Sequence, residues 1–458
     1  MEAIESPRRR SPDEMDEKSL AAAFPDLKPQ LPDDEAIVEA ERCLECGGPY
    51  AVAPCVEACP AAVDVPGFIA AIARSDTGRA AEIIFDHNIL GASCARVCPV
   101  EQFCEGACVL RKEGRRPVAI GRLQRFAAES QLKRRAFFRS PQTPNGKRVS
   151  VIGGGPAGLS CAAELALLGY RVVVYDKNED FGGLVRYAIA PYRIRRNPIP
   201  DEAEMIASLG VEFRLGSNID GPERLKAIES DSDAVFLGIG LGRDVDPHYP
   251  GDSLSGVWSS LDFIRSIKTG RPPRIGERVA VVGGGNTAID VARESKRLGA
   301  RTVTLFYRRT KAEMPAYPHE VDEAVEEGID LQYLTTVVAF HGNTRLESIE
   351  LRRVMLGEAD ASGRPRPVEV AGSEFALPIE TAILAVGQER RVGFLRWIEG
   401  VADERGLLRV DPLTGQTANP RYFAGGDSLT GGATAVEAVQ AGRVAAAGID
   451  RYLRGMTR

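Results

Sequence analysis

The chain has 458 residues, of which 44% are hydrophobic and 47 are glycine, with a formal net charge of −6. That length suits about three domains. The acidic balance argues against nucleic acid as the main partner, and no apolar stretch approaches the eighteen or so residues of a membrane span.

Residues 1–35 are charged and proline-rich, and their longest apolar run, Leu20 to Phe24, is too short for a signal-peptide core. They read as a flexible N-terminal arm on a cytoplasmic protein, with Arg8-Arg9-Arg10 a solvated basic run.

Residues 36–140 mix helical periodicity, at Ala36–Cys43, Val65–Ile72 and Ile120–Phe138, with eight of the nine cysteines. The first run is Cys43-x2-Cys46-x8-Cys55-x3-Cys59-Pro60 and the second is Cys94-x3-Cys98-Pro99-x4-Cys104-x3-Cys108. Cys-Pro steps and close thiol spacing are habits of iron–sulfur proteins, in which a run can share its last cysteine with a second cluster. Structural zinc accepts four thiolates as well, and disulfides are a third option that would need an oxidising compartment. The region reads as a small helical domain stapled by its metal centres. Cys161, in an apolar helical pattern, reads as packing.

After a linker at Pro141–Gly146 the texture becomes α/β. A strand at Arg148–Ile152 precedes Gly153-Gly154-Gly155-Pro156-Ala157-Gly158, a helix at Leu159–Leu168 and a strand ending at Asp176. The order recurs: a strand at Arg278–Val282, Gly283-Gly284-Gly285-Asn286-Thr287-Ala288, a helix at Ile289–Leu298 and a strand at Thr302–Tyr307. One such loop is a weak sign, but two in the same strand–loop–helix setting mark two Rossmann-like dinucleotide sites. Glycine permits close backbone approach there, and the helix N-terminus offers free N–H groups to a pyrophosphate. The first site carries Asp176 where a carboxylate would accept from an adenosine ribose. The second carries Arg308-Arg309 there instead, which suits the 2′-phosphate of NADPH. The bland readings are a solvated basic turn for the arginines and a helix N-cap for Asp427, in Gly425-Gly426-Asp427.

Together these motifs resemble the two-dinucleotide flavoprotein family that includes the small subunit of NADPH-dependent glutamate synthase and the N-terminal part of dihydropyrimidine dehydrogenase. Also matching are Phe181-Gly182-Gly183-Leu184, Pro191-Tyr192-Arg193, Glu313-Met314-Pro315-Ala316 and the stretch Ala382 to Gln388. The resemblance implies a discontinuous FAD domain at 146–262 and 387–458 and an NADPH domain at 263–386. It places FAD on the first loop with Gly183, Leu184, Arg193, Gly387, Gly426, Asp427, Thr434, Ala435 and Val436, and NADPH on the second loop with Arg308 and Arg309. It also implies two 4Fe-4S clusters, one on Cys43, Cys46, Cys55 and Cys108 and the other on Cys59, Cys98, Cys104 and Gln124, which leaves Cys94 without a metal. One departure is the Cys46–Cys55 spacing of eight residues, where the family usually has four.

The expected activity is NADPH oxidation, with electrons passing through FAD and the clusters to a separate partner. That partner resembles either a glutamate synthase large subunit or a dihydropyrimidine dehydrogenase. No acid–base residue is required, because the cofactors carry the chemistry. The rival of another class is a flavin disulfide reductase with structural zinc, which the absence of a Cys-x-x-Cys redox pair near either glycine loop weakens.

Overall fold

The computed structural model describes residues 15–48, 50–132, 136–359 and 363–456. The Arg8–Arg10 run lies outside the described residues. Among the described residues no helix is long and apolar enough to cross a membrane.

The strands, in chain order, are β1 (Arg148–Ile152), β2 (Arg171–Tyr175), β3 (Glu212–Arg214), β4 (Ala234–Leu237), β5 (Val257–Ser259), β6 (Arg278–Val282), β7 (Thr302–Phe306), β8 (Asp330–Gln332), β9 (Thr335–His341), β10 (Ser348–Ala359), β11 (Pro365–Glu369), β12 (Phe375–Pro378), β13 (Thr381–Leu384) and β14 (Tyr422–Ala424). They belong to two compact units. One comprises residues 27–186, 193–242 and 390–458; the other comprises 243–389 with 187–192 and the stretch ending at Asp26.

In the first unit a parallel sheet runs β14-β4-β1-β2-β3. Its central strands are buried along nearly their whole length, as expected for parallel strands covered on both faces. The helix Pro156–Leu167 crosses from β1 to β2 and packs against the long helix Ala435–Leu453. The helices of the cysteine-rich region, Asp33–Ala40, Val65–Ala73, Thr77–His87, Gly91–Val97 and Ile120–Leu132, belong to this same unit. Phe68, Ile72, Ile84 and Leu123 share one continuous core with Val149, Leu159 and Val439. The cysteine region is therefore not a free-standing mini-domain held by metal alone.

The second unit has a parallel sheet β5-β13-β6-β7-β8, to which an antiparallel sheet is added in the order β11-β10-β12, with β9 also on β10. Residues 243–262, expected with the FAD domain, fold here because β5 pairs with β13 through Val257↔Ala382.

Two other expectations change. The flexible arm contains a helix at Glu17–Ala23, capped by Asp16, which accepts from Ser19 N at 2.7 Å. Leu20 and Phe24 are buried in the second unit's core, so a short apolar run that fails as a signal peptide serves as packing. The helix from Ile120 is described as far as Leu132, and Phe138 is not helical. Phe138 instead lies against Phe85, with ring centroids 6.2 Å apart.

Candidate nucleotide and cluster sites

Packing dictates the glycines of the first loop. A Cβ at Gly158 would lie 1.8 Å from Gly153 O, and one at Gly153 would lie 2.2 Å from Gly238 O. At Gly155 the nearest atom to a Cβ is Gly183 Cα at 3.9 Å, so that face of the loop is open. Gly155 caps the helix Pro156–Leu167, whose first-turn N–H groups are the natural seat for a pyrophosphate.

Two other segments close on this loop. Gly182 N donates to Gly154 O at 2.8 Å, with Gly183 at φ +54° beside Gly155 and Leu184 beginning a helical turn. Gly426, at φ +78°, abuts Ala157, and Asp427 follows it. Asp427 accepts from Ala433 N at 3.1 Å, and burial raises its pKa. Thr434 caps the helix of Ala435 and Val436 in a reciprocal pair with Glu437. Asp176 is 8% exposed, with Oδ2 on Gly154 N (2.7 Å) and Oδ1 on Asn178 N (2.7 Å) and Nδ2 (2.9 Å). Its carboxylate thus braces the glycine loop itself. Arg193 is partly buried in this unit, whereas Gly387 lies in the other unit, where its carbonyl accepts from Val245 N.

The second loop repeats the construction. Cβ atoms at Gly283 and Gly284 would lie 2.2 Å from Ala385 O and 2.5 Å from the Tyr307 ring, whereas Gly285 meets only Pro315, at 3.9 Å. Gly285 caps the helix Asn286–Arg297. Asn286 accepts from Tyr317 N at 2.9 Å, Ala316 N donates to Gly284 O at 3.1 Å, and Thr287 and Ala288 complete the first turn. The two arginines after β7 diverge. Arg308 is exposed, while Arg309 is 3% exposed and donates from Nε to Pro365 O at 2.8 Å.

The thiols gather in two groups. Cys43, Cys46, Cys55 and Cys108 line one cavity together with Val65, Ile69, Val118 and Ile120. Burial, reinforced by neighbouring Cys43, pushes the Cys55 thiol up to about 12. Cys59, Cys94, Cys98 and Cys104 form the second group. Cys98 shares a hydrogen bond with Cys94 and feels the charges of Cys104 and Cys59. Gln124 donates from Nε2 to Gly91 O at 2.7 Å, which leaves its Oε1 as the side-chain acceptor. Cys161 is fully buried in the helix Pro156–Leu167. All nine cysteines are free thiols. Soft thiolate donors ringing an apolar cavity fit an iron–sulfur cluster, which offers each thiolate its own iron.

Two contacts absent from the sequence expectations tie the second group to the first sheet's domain. Glu202, wholly buried in the helix Ile199–Ala207, accepts from Ala92 N at 2.9 Å, Ser93 N at 3.0 Å and Ser93 Oγ, at the start of the helix that carries Cys94. Burial pushes its carboxyl up to about 7, against the pull of those hydrogen bonds and of Arg96. Arg443, on the helix Ala435–Leu453, donates to His87 O at 2.8 Å and Ala61 O at 3.4 Å, and Ala61 is two residues past Cys59.

Residues 20–136 match the family model for dihydropyrimidine dehydrogenase domain II, 4Fe-4S cluster, and residues 147–442 match that for pyridine nucleotide-disulphide oxidoreductase. The chain is 34% identical to the glutamate synthase [NADPH] small chain of Halomonas elongata, covering 97% of this chain and 96% of that protein. It is 33% identical to the Escherichia coli small chain, covering 94% of each. It is also 38% identical to the NADP(+)-dependent formate dehydrogenase subunit beta of Moorella thermoacetica, where it covers 89% of this chain but spans only 60% of the relative. Among solved structures, Mycobacterium tuberculosis FprA in complex with NADPH aligns at TM-score 0.55 and 19% identity, over 68% of this chain and 86% of that one. Thioredoxin reductase from T. acidophilum aligns at TM-score 0.52 and 20% identity, over 68% of this chain and all of that one. These last two share the fold. The chain therefore belongs to the NADPH-dependent FAD and iron–sulfur oxidoreductases that include the glutamate synthase small chains.

Proposed function

We propose that this protein is a cytoplasmic electron-input subunit. It takes a hydride from NADPH at the second glycine loop and delivers electrons, by way of FAD on the first loop and two 4Fe-4S clusters, to a separate acceptor. Bound flavin supplies the conversion of a two-electron donor into one-electron exits. The chain's own residues bind, orient and insulate. Gly155 and Gly285 leave open approaches at two helix N-termini, while Asp176 stiffens the first loop.

The observation that carries the reading is the pair of clamps from Glu202 and Arg443. Each runs from a helix of the flavin-binding domain to a segment bearing the second thiol group. Such a tie is what one-electron transfer between the two would need, and a zinc staple would not need it. In this reading Cys59, Cys98, Cys104 and Gln124 hold the flavin-side cluster, and Cys43, Cys46, Cys55 and Cys108 hold the other. The acceptor resembles a glutamate synthase large subunit, given the near full-length match to the small chains. A dihydropyrimidine dehydrogenase-like acceptor is the second reading, favoured by the family match over residues 20–136.

Cys55→Ser protein tests the relay. With FAD bound, its flavin is expected to be bleached by NADPH and it should reduce artificial dyes at close to the wild-type rate, yet fail to support turnover of the physiological acceptor. Full turnover by that variant would contradict the relay.

A further inference from the structure

We propose that Arg308 and Arg366 together read the 2′-phosphate of NADPH, and that Arg309 serves as a brace for strand β11. This rests on the reading that the second glycine loop binds NADPH.

Arg308 follows β7, at the carboxyl end of the parallel sheet, where a Rossmann-type site holds the adenosine ribose. It opens on a cavity of about 800 Å³ whose wall includes Arg309, Thr336, Val354, Arg366 and Pro367. That volume is ample for a phosphorylated nucleoside. Arg366 is exposed on β11, 58 positions further along the chain, and only the antiparallel pairing of β11 with β10 brings it to this wall, through Leu356↔Pro367 and Met355↔Val368.

Arg309 is placed to serve that pairing. Its side chain is 3% exposed, and Nε donates to the carbonyl of Pro365, the residue next to Arg366. Arg309 borders the same cavity, but a nearly buried guanidinium whose Nε is spent on this carbonyl seats the strand, whereas Arg308 is exposed. Two carboxylates also lie on the cavity wall, Glu358 and Glu369, and Glu369 is ion-paired with Arg352. The positive charge of Arg308 and Arg366 therefore prevails over what remains, as recognition of a phosphate dianion requires. Two arginines brought to one cavity from separate segments of the chain can grip different phosphate oxygens.

The probe is 2′,5′-ADP, compared with 5′-AMP by titration calorimetry on the holoenzyme, with Michaelis constants for NADPH and NADH measured alongside. Arg308→Ala and Arg366→Ala are each expected to weaken 2′,5′-ADP about tenfold or more while leaving 5′-AMP and NADH within about twofold. Both arginines are exposed, so both variants should melt like wild type. Arg309→Lys can still donate to the Pro365 carbonyl and should keep 2′,5′-ADP affinity within about twofold. Unchanged 2′,5′-ADP affinity in Arg366→Ala, with wild type still preferring 2′,5′-ADP to 5′-AMP, overturns this inference and leaves the NADPH reading standing. A wild-type protein that binds the two probes equally overturns both.

Discussion

Cys104→Ser and Cys59→Ser proteins are expected to lose one whole cluster, about half of the iron and sulfide, whereas Cys94→Ser keeps the full complement. The ligand is thiolate, and serine is a hard, poorly acidic substitute that soft iron–sulfur centres accept badly. Counting thiols cannot separate these residues, because the structure puts Cys94 beside Cys98 with a hydrogen bond between their sulfurs. What separates them in the proposed ligand assignment is the fourth donor, Gln124. Gln124 is fixed by its Nε2 bond to Gly91 O, so its orientation is set from the same helix start that Glu202 holds. Cys94 is 1% exposed and packs in the core, where a serine hydroxyl can replace its hydrogen bond at little cost in shape. Iron analysis showing Cys94→Ser as depleted as Cys104→Ser would move the fourth ligand from Gln124 to Cys94.

Glu202 is expected to show the largest effect on stability. Glu202→Ala leaves the Ala92 and Ser93 N–H groups and the Ser93 hydroxyl without an acceptor in a buried place, at roughly 1–3 kcal/mol for each unmet donor. Glu202→Gln separates charge from shape, since its carbonyl can accept both N–H bonds and the Ser93 hydroxyl can turn to accept from its amide.

The sign of the pH dependence follows from the raised carboxyl. The folded protein keeps the Glu202 proton up to about pH 7, whereas the unfolded chain releases it near the ordinary glutamate value of 4.5. Across that window the folded state binds more protons, so the contribution of Glu202 to stability falls as pH rises and is lost above the folded pKa. The difference between Glu202→Gln and wild type should therefore swing in the variant's favour by roughly 2–3 kcal/mol between about pH 5 and about pH 8. Arg96, which partly counters the shift, is common to both proteins and cancels from the difference. Denaturant midpoints of the two proteins that stay parallel across that range would show that Glu202 is already ionised in the fold.

Both glycine loops were legible because their causes are local. An apolar strand, three glycines and a small-residue helix start announce themselves within twenty residues, and the structure explains Gly153, Gly158, Gly283 and Gly284 by an atom a Cβ would strike. Cys43, Cys46, Cys55 and Cys108, distant in sequence, line one cavity, and their holding one cluster is the proposal the iron analysis tests.

Less local features were not legible. Glu202 sits in Asp201-Glu202-Ala203-Glu204, which reads as the solvated acidic first turn of a helix; only folding carries it against a segment about 110 residues away. Arg309 looks identical to Arg308 in sequence, and strand alternation alone gives no hint that β11 would claim it. The helix Glu17–Ala23 was missed because seven residues carry too little periodicity to separate a packed turn from an arm. The shared core of the cysteine helices and the first sheet is a long-range fact with no single-segment signature.

Anaerobic titration of the purified protein with NADPH, followed by absorbance and by electron paramagnetic resonance, asks whether electrons from NADPH reach both flavin and iron. The flavin bands and the broad iron–sulfur absorption should both bleach, with spins from two 4Fe-4S clusters in the reduced protein and far weaker reduction by NADH at equal concentration. A flavin fully reduced by NADPH beside iron that stays oxidised, or thiols holding zinc in place of iron, would contradict the relay.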